Sequence, residues 1–400
     1  MNIKISFEAQ TFPLYFVSSK NGLKSIEVEA FDGHLTARVQ YDYDIRPLLL
    51  ESEINVGDKV DIILMSHRIE LHLNGALKDE EWPAGERLFD IADSFTGEVK
   101  IEVAEFKELK VDLPSVVSTF KNAEGWYPGN GVFVGDCMPY QKDHEYHVLY
   151  LKDRHHHKSK WGLGAHQWDH ISTRDFCTWH IHPMAIPITD PWEGSICTGS
   201  WIKKDKNEYL YYTVRRTNNL PAVIRRSVST DGYHFVKDEN FSFTLSEKYH
   251  KASARDPKVI VGEDGLFHMF LTTSLVKENK GCLAHYVSTD MEKWEEKPDP
   301  IYISKTDEQP ECPDYFKYDG KYYLIFSLFG KAHYIFSDKP FEDFITPSDS
   351  IIPCESVPKC AEWQGRLVFV GFKRINGYAG AMTFKSATAN KDGELVFEDL

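Results

Sequence analysis

Long apolar runs, paired cysteines and an excess of positive charge are all missing from this sequence. No stretch approaches 18 consecutive apolar residues, so we predict no membrane-spanning helix. The seven cysteines are an odd number and include no CxxC pair, which predicts free thiols instead of a disulfide framework. The net charge of −15 argues against nucleic acids and anionic membranes as partners, because phosphate groups bind clustered cations. We therefore expect a small uncharged molecule as the ligand.

The first residues also lack the pattern of a signal peptide. The stretch MNIKISFEAQTFPLYF has no uninterrupted apolar core and no small-residue cleavage site. Together with the free thiols, this predicts a cytoplasmic protein. The run His155–His157 predicts a solvated loop, because adjacent side chains in a loop seldom converge on one metal ion. We expect no metal and no cofactor, and the sequence leaves the oligomeric state open.

Helical periodicity is absent from the N-terminal part of the chain, which reads as a series of strands. Apolar and polar residues alternate from Ile69 to Leu73, the pattern of a strand wet on one face, and Asn74-Gly75 follows as a turn. The stretch GDKVDIILMSHRIELHLNGALKDEE (57–81) resembles the hairpin region of lectin-like, concanavalin-type sandwiches. We predict an antiparallel β-sandwich over residues 1–110.

The remainder of the chain repeats itself. Five short, apolar, aromatic-rich runs recur: EYHVLYL (145–151), EYLYYTV (208–214), LFHMFLTTS (266–274), KYYLIFS (321–327) and RLVFVGF (366–372). Between them recurs a strand, then a polar turn carrying Asp, then an aromatic residue: STRDFCTW (172–179), SVSTDGYHF (227–235), YVSTDMEKW (286–294) and IFSDKPFEDF (335–344). A period of about 50 residues built from strands predicts a propeller of four-stranded blades. We therefore predict an all-β chain with a five-bladed β-propeller over residues 120–400.

Three acidic residues lie at the same distance along the sequence from these runs. Asp136, Asp256 and Glu311 each lie ten residues before a position in the first, third and fourth run. A propeller gathers the starts of its inner strands around a central pocket, so equal offsets predict three carboxylates facing one another at one height. Like charges are costly to gather unless function requires them. The pattern predicts an active site.

The motifs around two of these carboxylates are specific. ARDPKV (254–259) contains Asp256 and ECPD (311–314) contains Glu311. In series they resemble the two most characteristic motifs of glycoside hydrolase family 32, the β-fructosidases or invertase-like enzymes. Three more segments resemble the family in the correct order: YHVLYL (146–151), KWGLGAHQWDHISTRDFCTW (160–179) and EGSICTGS (193–200). The resemblance covers most of residues 126–372.

The resemblance implies a retaining exo-glycosidase that hydrolyses terminal fructofuranosyl residues of small saccharides. By position, Asp136 would be the nucleophile, and Glu311 would protonate the leaving oxygen and then deprotonate the incoming water. Asp256 would accept hydrogen bonds from sugar hydroxyls and stabilise the oxocarbenium-like transition state. The residues expected to contact the sugar are Arg255, Trp161, Trp126, His170, Thr198 and Asp314.

The sequence also departs from the family. GDCMPY surrounds Asp136 where members usually carry WMNDPNG, Leu151 stands where a Gln is common, and the sandwich precedes the propeller instead of following it. Two alternatives therefore stay open: an inverting, arabinofuranosidase-like enzyme of a related propeller family, and a non-catalytic carbohydrate-binding propeller. For Trp126 a place in a blade core is equally open, and for His170 a structural hydrogen bond is the preferred alternative to a sugar contact.

Overall fold

A computed structural model describes the chain at residues 2–20, 24–40, 47–65, 68–81, 95–97, 102–106, 117–119, 125–128, 131–154, 166–190, 192–216 and 220–400. Within these residues the regular structure is β-strand, with one 3₁₀ turn at Lys251–Ser253 and no α-helix. None of them forms a helix long and apolar enough to cross a membrane. The chain divides into two compact units. The first contains Met1–Leu113 and Ile188–Gly194, and the second contains Pro114–Lys158, His166–Pro187 and Ser195–Leu400.

The first unit consists of two antiparallel sheets of five strands each. Its strands are β1 (Asn2–Glu8), β2 (Leu14–Lys20), β3 (Lys24–Phe31), β4 (His34–Gln40), β5 (Leu48–Glu53), β6 (Lys59–Leu64), β7 (Ile69–Leu73), β8 (Ala76–Glu81), β9 (Phe95–Gly97) and β10 (Glu102–Phe106). One sheet has the order β10-β1-β6-β7-β8 and the other β5-β4-β3-β2-β9. A single hydrophobic cluster draws on both, with Ile5 and Ile62 from the first and Val28 and Leu50 from the second. Each fully buried aliphatic side chain contributes about 1.5–3 kcal/mol to holding the sheets together.

The hairpin of β7 and β8 confirms one prediction and corrects another. Asn74 and Gly75 form the predicted turn, with φ of 53° and 82°. The predicted wet face of β7 is wrong, because Glu70 and His72 are only 1% and 7% exposed. Glu70 forms an ion pair with Arg68 at 2.6 Å and contacts the His72 ring nitrogen at 2.8 Å. Pairing among the polar side chains thus lets both faces of the strand be buried.

The second unit repeats one motif, an antiparallel meander of consecutive strands. Its strands are β11 (Val117–Thr119), β12 (Val132–Lys142), β13 (Glu145–Arg154), β14 (Gln167–Thr173), β15 (Thr178–Ile181), β16 (Glu193–Lys204), β17 (Asn207–Arg216), β18 (Val223–Ser229), β19 (Val236–Lys237), β20 (Arg255–Val261), β21 (Phe267–Leu275), β22 (Lys280–Ser288), β23 (Glu295–Glu296), β24 (Tyr302–Ile303), β25 (Glu311–Tyr318), β26 (Lys321–Leu328), β27 (Lys331–Ser337), β28 (Lys359–Trp363), β29 (Arg366–Arg374), β30 (Gly380–Ala389) and β31 (Leu395–Glu398). Five meanders begin at β12, β16, β20, β25 and β28. The first and fifth share one sheet through β12 and β30, which pair at Val134 and Gly380.

The five apolar runs predicted as strands are all strands. They form β13, β17, β21, β26 and β29, the second strand of each meander. Their aromatic and β-branched residues favour a pleated, buried surface. All nine residues of β21 are buried, which explains why these runs are apolar on both faces instead of alternating.

The second recurring element also has one structure. In three meanders, a Ser or Thr hydroxyl at the end of a strand and an Asp two residues later accept hydrogen bonds from the following backbone N–H groups. The pairs are Thr173 with Asp175, Ser229 with Asp231, and Ser288 with Asp290. The repeat seen in the sequence is therefore a repeat of local structure.

The first strands of the five meanders border one space. A cavity of about 300 Å³ is lined by Met138, Gly199, Lys258, Asp314 and Cys360, one residue from each of β12, β16, β20, β25 and β28, together with their neighbours. These five strands therefore lie around one space although they are far apart in the sequence.

Candidate active site

The first strands β12, β20 and β25 each carry a β-bulge near their start. The pairing register shifts between residues 134 and 137 in β12, 255 and 258 in β20, and 311 and 314 in β25. Inside two of these bulges, Asp256 and Cys312 have φ of 56° and 52°, the left-handed region. That conformation costs a residue other than glycine about 1–2 kcal/mol. Strain of this kind, repeated in neighbouring elements, is typical of a functional site.

The three predicted carboxylates lie in or directly before these bulges, at successive positions. Glu311 precedes its bulge, Asp256 is the first residue inside its own, and Asp136 is the second. The expectation that equal offsets mean equal strand positions is therefore wrong. The strands and turns between each bulge and the next run differ in length, so a constant count along the chain does not give a constant place in the sheet.

Asp136 accepts three hydrogen bonds from side chains of three other meanders. The Tyr378 hydroxyl donates to Oδ1 at 2.5 Å, the Thr198 hydroxyl donates to Oδ2, and the Cys312 thiol lies 3.4 Å from Oδ2. Burial and the Asp136 charge raise the pKa of Tyr378, and burial together with Asp136 and Asp256 raises that of Cys312. Both groups therefore keep their protons and act as donors. The carboxylate is fixed in one orientation.

Gly135 makes room for the Tyr378 contact. A Cβ atom at this position would lie 3.0 Å from the Leu151 side chain and 3.2 Å from the Tyr378 ring. These separations are tighter than ordinary van der Waals contact, so a larger residue would push the ring away from Asp136. The glycine in GDCMPY thus supports the geometry of its neighbour.

Arg255 connects the other two carboxylates. Its Nη2 donates to Glu311 Oε1 at 2.9 Å, and its Nε lies 3.6 Å from Asp256 Oδ2. Gln309 accepts a further hydrogen bond from Nη1, which holds the guanidinium in place. Asp256 Oδ2 also accepts a hydrogen bond from the backbone N–H of Cys312 at 3.0 Å. Since the Cys312 thiol contacts Asp136, one residue joins the nucleophile candidate to the other two carboxylates.

The charges of the cluster influence one another. Burial raises the pKa of Asp256, Arg255 opposes this, and Asp136 and Glu311 raise it further. Burial by itself would lower the pKa of Arg255, but Asp256 and Glu311 raise it overall, so the guanidinium stays charged. Lys359, 2% exposed, donates to the Gly199 carbonyl at 2.9 Å, and burial lowers its pKa. The partly buried Arg255 thus balances charge within the carboxylate cluster, and the buried Lys359 interacts with Asp256.

The structure brings some of the predicted sugar contacts to this cluster and places others elsewhere. Arg255 and Thr198 belong to it, Thr198 as a hydrogen-bond donor to Asp136. Asp314 is 1% exposed, forms an ion pair with Lys258 at 2.5 Å and accepts from the backbone N–H of Cys360 at 3.0 Å, inside the cavity described above. These contacts give Asp314 a structural role, and its assignment as a sugar contact stays a prediction.

Trp126 and His170, two of the predicted sugar contacts, lie away from the carboxylates. Trp126 is 5% exposed and stacks on Trp179 with ring centroids 5.9 Å apart, in the core between the first and fifth meanders. His170 is fully buried against Tyr140 and two other histidines. Of the open interpretations, the blade-core place fits Trp126 and the structural hydrogen bond fits His170. Trp161 lies outside the described residues.

Sequence reasoning missed Tyr378, Lys359 and the orienting role of Cys312. Tyr378 lies 242 residues from the carboxylate it contacts, and Lys359 belongs to the fifth meander, for which no acidic motif was found. In the sequence Cys312 is marked only by its place after Glu311, whereas in the structure its thiol contacts Asp136. The one available signal was the GYAGA stretch that follows the last apolar run, in a place equivalent to no other repeat.

Within the described residues the chain is all-β, and its first, third and fourth meanders each place a carboxylate at a bulged first strand. The sequence is similar to that of a class of carbohydrate-active proteins. The model of the "glycosyl hydrolases family 32 N-terminal domain" matches residues 137–346. This match covers more than half of the chain, includes Asp256 and Glu311, and begins one residue after Asp136. The chain belongs to glycosyl hydrolase family 32.

Individual relatives are distant and are matched over part of their length. A sucrose-6-phosphate hydrolase of Vibrio alginolyticus is 24% identical over 191 residues, 45% of this chain and 38% of that protein. The insoluble β-fructofuranosidase of Arabidopsis thaliana is 23% identical over 37% of this chain and 27% of that protein. This chain therefore spans well under half of the curated relatives it matches. Among solved structures, fructan 1-exohydrolase IIa of Cichorium intybus with 1-kestose has a TM-score of 0.60 at 17% identity, over 70% of this chain and 61% of that one.

Proposed function

We propose that the protein is a retaining exo-glycosidase that hydrolyses terminal fructofuranosyl residues. The observation that carries the proposal is the connected cluster of Asp136, Asp256 and Glu311, joined through Arg255 and Cys312 in a family 32 chain. A retaining site needs two carboxylates on opposite sides of one glycosidic bond and a third group to stabilise positive charge on the sugar. The cluster offers all three.

In this proposal Asp136 attacks the anomeric carbon while Glu311 gives its proton to the leaving oxygen. Water then enters, Glu311 takes a proton from it, and the hydroxide displaces Asp136, so the released sugar keeps its configuration. Hydrogen bonds from Tyr378 and Thr198 hold the Asp136 carboxylate in its attacking orientation. Asp256, kept close by the Cys312 N–H, accepts hydrogen bonds from sugar hydroxyls and stabilises the oxocarbenium-like transition state.

We propose that residues 120–400 form a five-bladed β-propeller and residues 1–110 a lectin-like β-sandwich. The cavity lined by the first strands of all five meanders supports the propeller, and the hydrophobic cluster shared by two sheets supports the sandwich. Lys359 and the Lys258–Asp314 ion pair occupy the interior of the propeller cavity. An interior filled in this way would close the pocket at one end and favour a terminal sugar over the inside of a chain.

The names of the relatives indicate which substrates to consider. A sucrose-6-phosphate hydrolase and a β-fructofuranosidase are among the sequence relatives, and a fructan exohydrolase is among the structural ones. We propose sucrose, its 6-phosphate or a short fructan. We also propose the cytoplasm as location, and the seven cysteines, all free thiols, support a reducing compartment.

The test is to incubate the purified protein with sucrose, sucrose 6-phosphate, 1-kestose and an aryl arabinofuranoside, and to follow the first-formed anomer by NMR. Fructose released with retention is the expected result. Glu311→Gln, which removes the titrating proton but keeps the shape, is expected to bind the active substrate and to lose turnover. Asp338→Asn is the matched control. The Asp338 side chain is 72% exposed, so this variant should keep full activity.

Other outcomes would replace the proposal. Inversion, or turnover of the arabinoside alone, would assign the protein to the alternative of an inverting furanosidase. Binding without turnover by the unmodified protein would favour the non-catalytic alternative. Full activity of Glu311→Gln would contradict the acid/base assignment even if fructose were released.

A further inference from the structure

Three histidines meet in the first meander, apart from the carboxylates. His147 lies on β13, His170 on the neighbouring β14, and His182 directly after β15. One ring nitrogen from each lies within 4.8 Å of the other two. The backbone N–H of His182 donates to the His170 carbonyl at 2.9 Å, so the segment after β15 is fixed against β14. We call these residues the three-histidine cluster.

Hydrogen bonding within the chain does not account for the burial of these rings. His147 Nδ1 and His170 Nε2 face each other at 3.0 Å, and the Tyr140 hydroxyl lies 3.0 Å from the same His170 nitrogen. A neutral imidazole nitrogen has either one lone pair or one proton, so His170 Nε2 cannot satisfy both neighbours. The outer nitrogens, His147 Nε2 and His170 Nδ1, are buried without any hydrogen-bond partner. A cation bound by the facing nitrogens, His147 Nδ1 and His170 Nε2, would remove the conflict at His170 Nε2, and each outer nitrogen would then carry the proton of its ring.

The facing nitrogens have the separation of metal ligands. Around a tetrahedral Zn²⁺ with bonds of 2.0–2.1 Å, neighbouring ligand nitrogens lie about 3.3 Å apart. The 3.0 Å contact between His147 and His170 is close to that value, and a ring nitrogen of His182 lies within 4.8 Å of both. The cluster therefore has the donor set and the spacing of a three-histidine metal site.

A serine and a carboxylate fix the third ring. The Ser172 hydroxyl donates to Glu145 Oε2 at 2.6 Å and lies 2.8 Å from His182 Nε2. Because the serine proton goes to the carboxylate, Nε2 of His182 must carry the proton and donate, which leaves the lone pair on Nδ1. Glu145 Oε2 also lies 4.0 Å from His147 Nε2, the direction in which a second-shell carboxylate supports a ligating histidine.

The charge state suits a divalent cation. Burial lowers the pKa of His147 to about 3 and that of His182 to about 4, so both rings are neutral at physiological pH. The nearby ammonium of Lys142 is engaged by Glu208 at 2.8 Å and by the Asp231 carbonyl at 2.9 Å. Glu145, the carboxylate next to the rings, forms an ion pair with Arg174 at 2.9 Å, so the charged groups around the neutral rings are paired.

We propose that His147, His170 and His182 bind one Zn²⁺ or a similar divalent transition metal, with a fourth position open to water. His182 is half-buried, so an ion can reach the cluster from its side. The site would tie together β13, β14 and the segment after β15. Tyr140, which contacts His170, is four residues and about 13 Å along β12 from Asp136, so the metal would stabilise the fold without entering the proposed reaction.

The test measures metal binding without using activity. Metal-free protein is titrated with Zn²⁺ against a chromophoric chelator, and Co²⁺ is added separately to record the visible spectrum of a tetrahedral site. One Zn²⁺ per chain is expected, with a rise in Tm of about 5 °C when free Zn²⁺ is about 100 times Kd. All measurements are made in a background in which His155, His156 and His157 are replaced by Gln, because that run can bind zinc by itself.

Two variants decide the outcome. His182→Gln keeps a hydrogen bond to Ser172 but loses the ligand, and is expected to weaken zinc binding by more than the 10–100-fold typical of a lost second-shell partner. His234→Gln, a 68% exposed histidine paired with Asp231, is the matched control and should leave the affinity unchanged. The proposal would be overturned if the background protein bound no zinc, if His182→Gln bound it equally well, or if Co²⁺ gave only the pale spectrum of an octahedral ion.

Discussion

The carboxylate cluster and the three-histidine cluster lie in the same unit, and both bury titratable groups, but they differ in how those groups are satisfied. Asp136 accepts three hydrogen bonds and Asp256 accepts one from a backbone N–H, and Arg255 bridges to Glu311. In the histidine cluster, two buried ring nitrogens have no partner and two others face each other. The polar groups of the first cluster are paired within the chain, whereas the hydrogen bonds within the second are incomplete.

The difference teaches what each cluster is built to receive. A carboxylate held by several donors keeps its charge and its orientation, which a nucleophile or a transition-state stabiliser needs before the substrate arrives. Neutral rings with converging lone pairs gain their stabilisation only when a cation binds. Variants that affect one cluster should therefore leave the other intact, and the predictions below test this separation.

The largest effect is expected from Asp136→Asn. The amide keeps the shape but cannot form the glycosyl-enzyme bond, so kcat should fall by about 10⁴-fold or more on every substrate. Glu311→Gln should lose less of its kcat on substrates with good leaving groups, since these groups leave without being protonated. Steady-state kinetics on an aryl fructoside and on sucrose separate the two. Zinc affinity should be unchanged in both variants, and a loss of it would show that the clusters are coupled.

Arg255→Met should reduce kcat by about 100-fold, the usual cost of removing one electrostatic contact from a catalytic site. Arg255 opposes the rise that burial causes in the pKa of Asp256, so its removal raises that pKa further. The ionised form of Asp256 is then lost at a higher pH, and the acidic limb of the pH–rate profile should move upward. Arg255→Lys keeps the charge without the forked geometry, and its kcat should lie between that of Arg255→Met and that of the unmodified protein. If the acidic limb did not move, the proposed influence of Arg255 on the pKa of Asp256 would be contradicted.

The sequence could predict what is encoded locally. The five apolar runs and the Asn74-Gly75 turn follow from side chains within a few residues, and all are found in the structure. Asp256 and Glu311 were found because each lies in a short motif. The same reasoning went wrong at β7, where Glu70 looked solvent-facing, because ion pairing with Arg68 cannot be read from alternation alone.

The remaining features depend on contacts between distant strands. Tyr378 reaches Asp136 because the fifth meander pairs with the first at Val134 and Gly380. The three-histidine cluster depends on the register of β13 with β14, in which Leu149 and not His147 lies opposite His170. No fixed spacing in the sequence encodes either contact, and the sequence-based expectation of no metal followed from the adjacent run His155–His157 alone.

A second histidine pair serves as a reference for the comparison, because it is satisfied. His285 Nε2 contacts His268 Nδ1 at 2.8 Å, and His268 Nε2 contacts Asp264 at 3.1 Å. Burial lowers the pKa of His285 from 6.5 to about 3, so between these values the unfolded chain binds the extra proton and stability falls as the pH falls. At pH 5 the loss from this residue is about 2 kcal/mol relative to pH 7.

The measurement is urea unfolding at pH 7 and pH 5, with excess EDTA to keep metals out. His285→Phe, which places another aromatic ring beside Phe270, should be less stable at pH 7 but should show a smaller difference between the two pH values. An equal pH dependence in the variant and the unmodified protein would show that His285 titrates normally. Zinc should not alter the contribution of this pair.

Tyr378→Phe is expected to have the smallest effect on catalysis. The variant removes one charge-assisted hydrogen bond to Asp136, while Thr198 and Cys312 keep theirs. The cost should be about tenfold in kcat, at the lower end for a hydrogen bond to a charged group, because the remaining donors still orient the carboxylate. KM should change little, since Tyr378 acts through Asp136 and not on the ground-state sugar. Thr198→Val removes the donor to the other Asp136 oxygen and is the matched comparison. If both variants raised KM instead of lowering kcat, these hydroxyls would be binding the sugar. The view that the cluster is complete before the substrate arrives would then be wrong.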